Sequence, residues 1–376
     1  MSLFAKNETN TGRQLEFDYL KGLFLILIFY IHSYQGTGSV ANADSVFKSL
    51  YCFGTLSTAA IYIFVLGFGT VYNRKITPVK MTVSGIRLVF YQYLSNMFYV
   101  LALFLGFEIF HLIGDANAVR DDWEYLTGYY AQFINIFFMS GIIYLILALL
   151  KLIKTPIIVY LLLAIIMVII APLIYGTEID IPVLGYVLGL IIGGPAYVSF
   201  TVLYYLAYAL AGVLFGYVLI RTTDKKKFYR YVLIICGILA VAWWVYVGIR
   251  YGMDFEQIYD YLKQSYTKPD YLHVIASIAH ILFFATIIDF VLSKKKKTGA
   301  ISKQLLYMST HISKHYAIHM FYVLAIRGIA GFAGLGTLGC LITFVIITVL
   351  TECTVRVYNM VYDRIKNRGA GRVNAN

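Results

Sequence analysis

The chain alternates long apolar blocks with short polar intervals, and that alternation constrains its fold more than any other feature. Blocks such as Leu50 to Tyr72, Phe133 to Leu150 and Ile157 to Tyr175 carry almost no charge. About 20 apolar residues at about 1.5 Å rise cross the hydrocarbon core of a bilayer, so each block reads as a spanning helix. Of the 376 residues, 60% are hydrophobic and 13% charged, well below the charge of a soluble domain. The longest polar interval, roughly Tyr251 to Tyr271, reads as a loop.

Ten spans are expected near 18–36, 50–72, 85–111, 131–150, 156–175, 199–220, 231–249, 271–292, 305–327 and 338–360. Loop charge supports this count. Alternate intervals hold Arg74, Lys75 and Lys80; Lys151 and Lys154; Arg221, Lys225, Lys226, Lys227 and Arg230; Lys294 to Lys297 and Lys303. The intervening ones are acidic or mixed, with Asp115, Asp121, Asp122 and Glu124; Glu178 and Asp180; Asp254, Glu256, Asp260 and Asp270. Basic loops stay cytoplasmic, which puts both termini inside. The expected organisation is a cytoplasmic segment 1–17, one all-α transmembrane domain 18–360 and a cytoplasmic tail 361–376. The first run has no small-residue cleavage site after it and reads as a retained helix rather than a signal peptide. The glycine-rich stretch 181–195 is too short to span, and an extra span there would invert every later loop. It is expected to re-enter the membrane or lie at its interface.

The net charge of +12 is divided among loops between apolar blocks, which argues for a lipid bilayer and against nucleic acid. Cys52, Cys236, Cys340 and Cys353 are scattered through apolar segments with no metal or disulfide spacing.

Ionisable groups within spans are costly and mark function. The first span carries Asp18, Lys21 and His32; counting at 1.5 Å per residue puts His32 about 21 Å from the helix start. The ninth carries His311, His315 and His319 on one face, with His319 also about 21 Å in. His273 and His280 share a face of the eighth. His32, His280 and His319 are therefore expected at one level in the outer half, where an imidazole can take a proton from a hydroxyl. Against this, an intramembrane His also serves as an interhelical hydrogen bonder, a reading that weighs most for His311 and His315. The spacing of the three ninth-span histidines suits a metal, but no carboxylate neighbours them in sequence, and no metal is expected. Glu352 and Arg356 stand four apart, as an ion pair would.

Arg13 to Gln35, RQLEFDYLKGLFLILIFYIHSYQ, resembles the opening of integral membrane acyltransferases of the acyltransferase-3 type. These have an Asp, a basic residue three later and a His eleven beyond, matched by Asp18, Lys21 and His32. AAIYIFVLGFGTVYNRK (59–75) looks like the family's second helix, and MSTHISKHYAIHMF (308–321) is similar to its late signature ending in His319. Lys21 stands where the family usually has Arg. Of an Arg pair after helix two, Arg87 is a candidate, with Tyr91 and Gln92 where the second Arg is expected. The heparan-glucosaminide acetyltransferase type shares the opening, but its first helix ends in Asn.

The resemblance implies transfer of an acyl group, most often acetyl from acetyl-CoA, to a hydroxyl or amine of an envelope glycan or lipid-linked glycan. It implies a bacterial plasma-membrane location. His32 is then the expected base, with Asp18 and His319 as further candidate catalytic residues, and Lys21, Arg74, Lys75 and Arg87 would hold the CoA phosphates. A proton-coupled transporter built on the same intramembrane groups is the alternative, and a non-catalytic lipid- or glycan-binding module a third reading. Homo-oligomerisation stays open.

Overall fold

A computed structural model describes residues 3–38, 45–56, 58–112, 120–177, 181–194, 198–293, 299–329 and 334–373. The loop residues Asp115, Glu178, Asp180, Pro195 and Lys294 to Lys297 lie outside the described residues. Among the described residues there are fifteen helices and no strand. They are α1 (Leu15–Thr37), α2 (Ser45–Thr55), α3 (Thr58–Tyr72), α4 (Pro78–His111), α5 (Arg120–Gln132), α6 (Ile136–Leu152), α7 (Ile157–Ile174) and α8 (Pro182–Ile192). There follow α9 (Val202–Leu219), α10 (Lys225–Arg250), α11 (Phe255–Thr267), α12 (Tyr271–Ser293), α13 (Ala300–Thr310), α14 (Ile312–Ile329) and α15 (Thr337–Val373).

Among the described residues, seven helical stretches are long and apolar enough to cross a membrane: Ser45–Tyr72, Pro78–His111, Ile157–Ile174, Val202–Leu219, Lys225–Arg250, Tyr271–Ser293 and Thr337–Asn367. The protein is an all-α, multi-pass membrane protein. Its outer helices show why. α7 exposes Leu161, Leu162, Ile165, Ile166, Ile169 and Leu173, an apolar surface that water would penalise and lipid does not. α1 and α14 fall outside the seven, and they hold Asp18, Lys21 and His32 and Lys314, His315 and His319 respectively.

α1 is the central element, packed against α2, α3, α12, α13, α14 and α15. It runs parallel to α13–α14. A Cβ on Gly22 would stand 2.4 Å from the Leu305 carbonyl oxygen, so the two backbones touch near their N-terminal ends. Other crossings use the same device: Gly67 of α3 and Gly212 of α9 lie on each other's helix backbone, Gly85 of α4 faces Gly141 of α6, and Gly106 of α4 faces Gly328 of α14. A break at His311 separates α13 from α14.

Buried charge ties the N-terminal end of α1 to its neighbours. Lys225 Nζ reaches Glu16 at 2.9 Å and Asp289 at 2.8 Å, and Tyr229 Oη donates to Glu16 at 2.7 Å. Glu16 is 2% exposed. At this end the segment before α1 pairs with the α9–α10 connection through Phe4 and Thr222. Arg356 of α15 donates to Gln304 of α13, so the start and the end of the described chain lie toward one side.

Two expectations are corrected. The acidic stretch around 120–132 and the interval Tyr251 to Tyr271 are not loops but contain α5 and α11. Asp254 caps α11 by accepting from the backbone N–H groups of Gln257 and Glu256, which hold its carboxyl below the usual range. Beyond 360 the chain continues as α15, with residues 361–367 exposed.

Removing the cation leaves Glu16 buried against Asp289. Lys225→Met is expected to destabilise the fold by about 3–5 kcal/mol, read as a lowered thermal midpoint in detergent. An unchanged midpoint would show that the cluster carries no stability.

Candidate active site

His32 of α1 and His319 of α14 meet. His32 Nδ1 lies 2.9 Å from His319 Nε2, and the rings are nearly parallel, 5.2 Å between centroids. Phe29 also stacks on His319, 4.5 Å between centroids. The partners assign the tautomers. His319 Nδ1 faces the His315 carbonyl oxygen at 3.1 Å, so it carries a hydrogen. In the neutral ring Nε2 is then an acceptor, and it receives Nδ1–H of His32. That leaves the lone pair on His32 Nε2. His319 is fully buried, whereas His32 lines a cavity.

That cavity, about 260 Å³, lies toward the C-terminal ends of α1 and α14. His32, Gln35, Tyr129, Tyr130, Ser199 and Arg327 furnish its polar lining. Arg327 donates to the Gly36 carbonyl at 3.0 Å and the Gln35 carbonyl at 3.3 Å, placing its charge on the negative end of α1. The wall bearing Tyr129, Tyr130 and Phe133 is fixed by Gln92. Its Nε2 donates to the Phe133 carbonyl at 2.8 Å, while its Oε1 accepts from Asn135 N at 3.0 Å and Phe138 N at 3.3 Å at the start of α6. Gln92 thus satisfies open donors of a helix N-terminus.

A second cavity of about 290 Å³ lies toward the N-terminal ends of the same helices. Lys21, Tyr62, Ser140, Tyr144 and Ser313 are its polar groups, among apolar side chains of α3, α4 and α6. Among the described residues, Tyr316 alone lines both cavities.

Asp18, the other catalytic candidate of the first span, stands apart from His32, as counting along the helix predicts. It takes Arg13 at 2.7 Å and Lys21 at 3.1 Å, and the 14 residues to His32 correspond to about 21 Å of helix. It therefore positions Lys21 at the mouth of the inner cavity. Of the other cations expected to bind there, Arg74 pairs with Glu8 at 2.7 Å, and Lys75 and Arg87 are exposed away from the lining. His280 does not join the pair: Trp244 Nε1 donates to its Nε2 at 3.1 Å and its Nδ1 faces the Ala276 carbonyl at 2.7 Å, so both nitrogens are engaged in packing α12 against α10. His315 has a carboxylate neighbour that its own helix does not supply. Its Nε2 lies 3.0 Å from Glu352 of α15, which also holds Arg356. Among the described residues no group of three or more His, Cys, Asp or Glu converges as a metal site. Arg327 escaped the sequence reading, its only signal being a charge near the end of the ninth expected span; Gln92 and Tyr316 lie in stretches compared with the family, but neither was given a role there.

The chain matches no family model, no curated protein and no solved structure in these three comparisons.

His319→Leu leaves His32 Nδ1–H without its acceptor and is expected to cost about 1–3 kcal/mol of stability. The His32→Leu, His319→Leu double variant should cost less than the sum of the two single changes. Additive thermal shifts would show that the rings do not interact.

Proposed function

We propose that the chain is a membrane acyltransferase of the acyltransferase-3 type, located in a bacterial plasma membrane. It moves an acyl group, acetyl in the simplest case, from a cytoplasmic CoA thioester to a hydroxyl of an envelope or lipid-linked glycan. In this reading ten spans cross the bilayer with both termini cytoplasmic, and α8 lies at the outer interface. The basic intervals mark the inner side.

One observation carries the reading: His32, held by the buried His319, borders a cavity, and a second cavity toward the opposite end shares Tyr316 with it. Lys21 lines the inner cavity, and Arg74, Lys75 and Arg87 lie toward the same side to hold CoA phosphates by charge-assisted contacts. The acceptor enters from the outer side. Its hydroxyl oxygen attacks the thioester carbonyl carbon, and its proton passes to His32 Nε2. The C–O bond forms, the C–S bond breaks, and His32 returns the proton to the departing thiolate. His319 touches neither substrate; it fixes the His32 tautomer, and the imidazolium formed keeps its Nδ1–H bond.

A proton-coupled transporter also has cavities on opposite sides. Its relay would have to continue beyond His319, but Nδ1–H there already donates to the His315 carbonyl, an oxygen that does not pass a proton on. This favours a base that holds a proton locally.

Purified protein in liposomes is expected to release CoA from acetyl-CoA in an acceptor-dependent manner. His32→Ala should lower the turnover by about 10²–10⁴-fold, the usual contribution of a positioned general base. Wild-type turnover in that variant would overturn the role of His32. Solute accumulation driven by a pH gradient, without CoA release, would favour the transporter.

A further inference from the structure

The phenol ring of Tyr316 stands where the two cavities meet. It is 8% exposed. Three rings contact it edge-on: Phe137 at 5.4 Å and 83°, His319 at 5.3 Å and 68°, and His32 at 6.2 Å and 72°. Edge-to-face contacts of this kind favour one orientation over free rotation into either space. The ring is anchored from two directions, because Phe137 belongs to α6 while both imidazoles belong to the α1–α14 seam. Around it the inner lining is mostly apolar, with Leu25, Val65, Leu66, Leu88 and Ile136. The outer lining is aromatic and polar. The apolar side chains on the inner side of the ring disfavour a continuous file of water inward from His32.

We propose that Tyr316 is the partition of the protein: its ring closes the passage between an inner and an outer vestibule, and its displacement joins them. In the reading above, which this inference extends, the partition determines specificity between acceptor and water. A thioester waiting in the inner vestibule is kept from outer water until an acceptor hydroxyl fills the outer vestibule beside His32. Without the ring, water can take the acceptor's place. Water oxygen would attack the thioester carbonyl, its proton would pass through His32 to the thiolate, and a free carboxylic acid and CoA would be released. Tyr316 touches the route of the reacting atoms by position alone, so it is a positioning residue.

The test reads the partition without relying on acyl transfer. Single reporters, Ser313→Cys in the inner lining and Gln35→Cys in the outer, are placed in full-length protein carrying Cys353→Ser, since Cys353 is the exposed native thiol among four free cysteines. A membrane-impermeant thiol reagent is added to one side of sealed, oriented vesicles. With Tyr316 present, each reporter is expected to react from its own side only. With Tyr316→Ala, each should react from both sides at comparable rates. With Tyr316→Phe, which keeps the ring and removes the hydroxyl, sidedness should be retained. One-sided labelling in the folded Tyr316→Ala protein overturns the proposal, and so does two-sided labelling while Tyr316 is intact, an outcome that needs no variant of the ring. In parallel, Tyr316→Ala should raise acceptor-independent CoA release from acetyl-CoA. Loss of sidedness with no CoA release from any form of the protein would leave the partition standing and refute the acyltransferase reading.

Discussion

α1 lies parallel to α13–α14 at backbone contact, and the site exists because of that register. Gly22 seats against Leu305. Along the same seam Ser309 donates to Asp18 at a sequence separation of 291, His32 meets His319 at 287, and Arg327 holds Gly36 at 291. Separations that stay nearly constant over the length of the helix are what parallel helices produce. Each residue advances a helix by about 1.5 Å and turns it by a 3.6th of a revolution. A slip of one residue would therefore rotate His319 off His32 and carry Arg327 away from the end of α1. A side chain at Gly22 would force such a shift.

Much of this was legible in the sequence because helices convert count into length. Equal counts from the starts of the first and ninth spans put His32 and His319 at one depth, and the structure joins their rings. The same count put His280 with them, and here depth was not enough. His280 faces Trp244 on a neighbouring helix, because depth says nothing about azimuth. Glu352 shows the converse. It was read as the local partner of Arg356, yet its other oxygen meets His315 across the α14–α15 contact, which no spacing within one helix reveals.

The helices α5 and α11 were read as loops because their polar residues resemble loop composition, and the aromatic residues that pack them, half-buried Trp123 and Tyr130 of α5 and buried Tyr259 of α11, are diluted among 34 tyrosines and 26 phenylalanines. Tyr316 stands in the 308–321 stretch compared with the family, yet its place in the fold was not legible there. Its distinction lies in where α1, α6 and α14 converge, not in its own residue type. The four cations expected at the donor site illustrate another limit: charge patterning assigns a side of the membrane, but only packing brings Lys21 to the cavity and leaves Arg74 against Glu8.

A ring that separates two vestibules also governs what crosses as charge. In the proposed transfer the acceptor arrives with its hydroxyl hydrogen and leaves with an acyl group, while CoA makes the opposite exchange. An acyl group moves outward and a hydrogen moves inward, each as part of its carrier, so no net charge traverses the partition. A full elementary charge moving across the membrane would couple to its potential by about 2.3 kcal/mol per 100 mV. Here that coupling vanishes over a complete turnover. On that proposal the chemistry is electrically silent, and its direction is set by the thioester bond alone, independent of how strongly the membrane is energised.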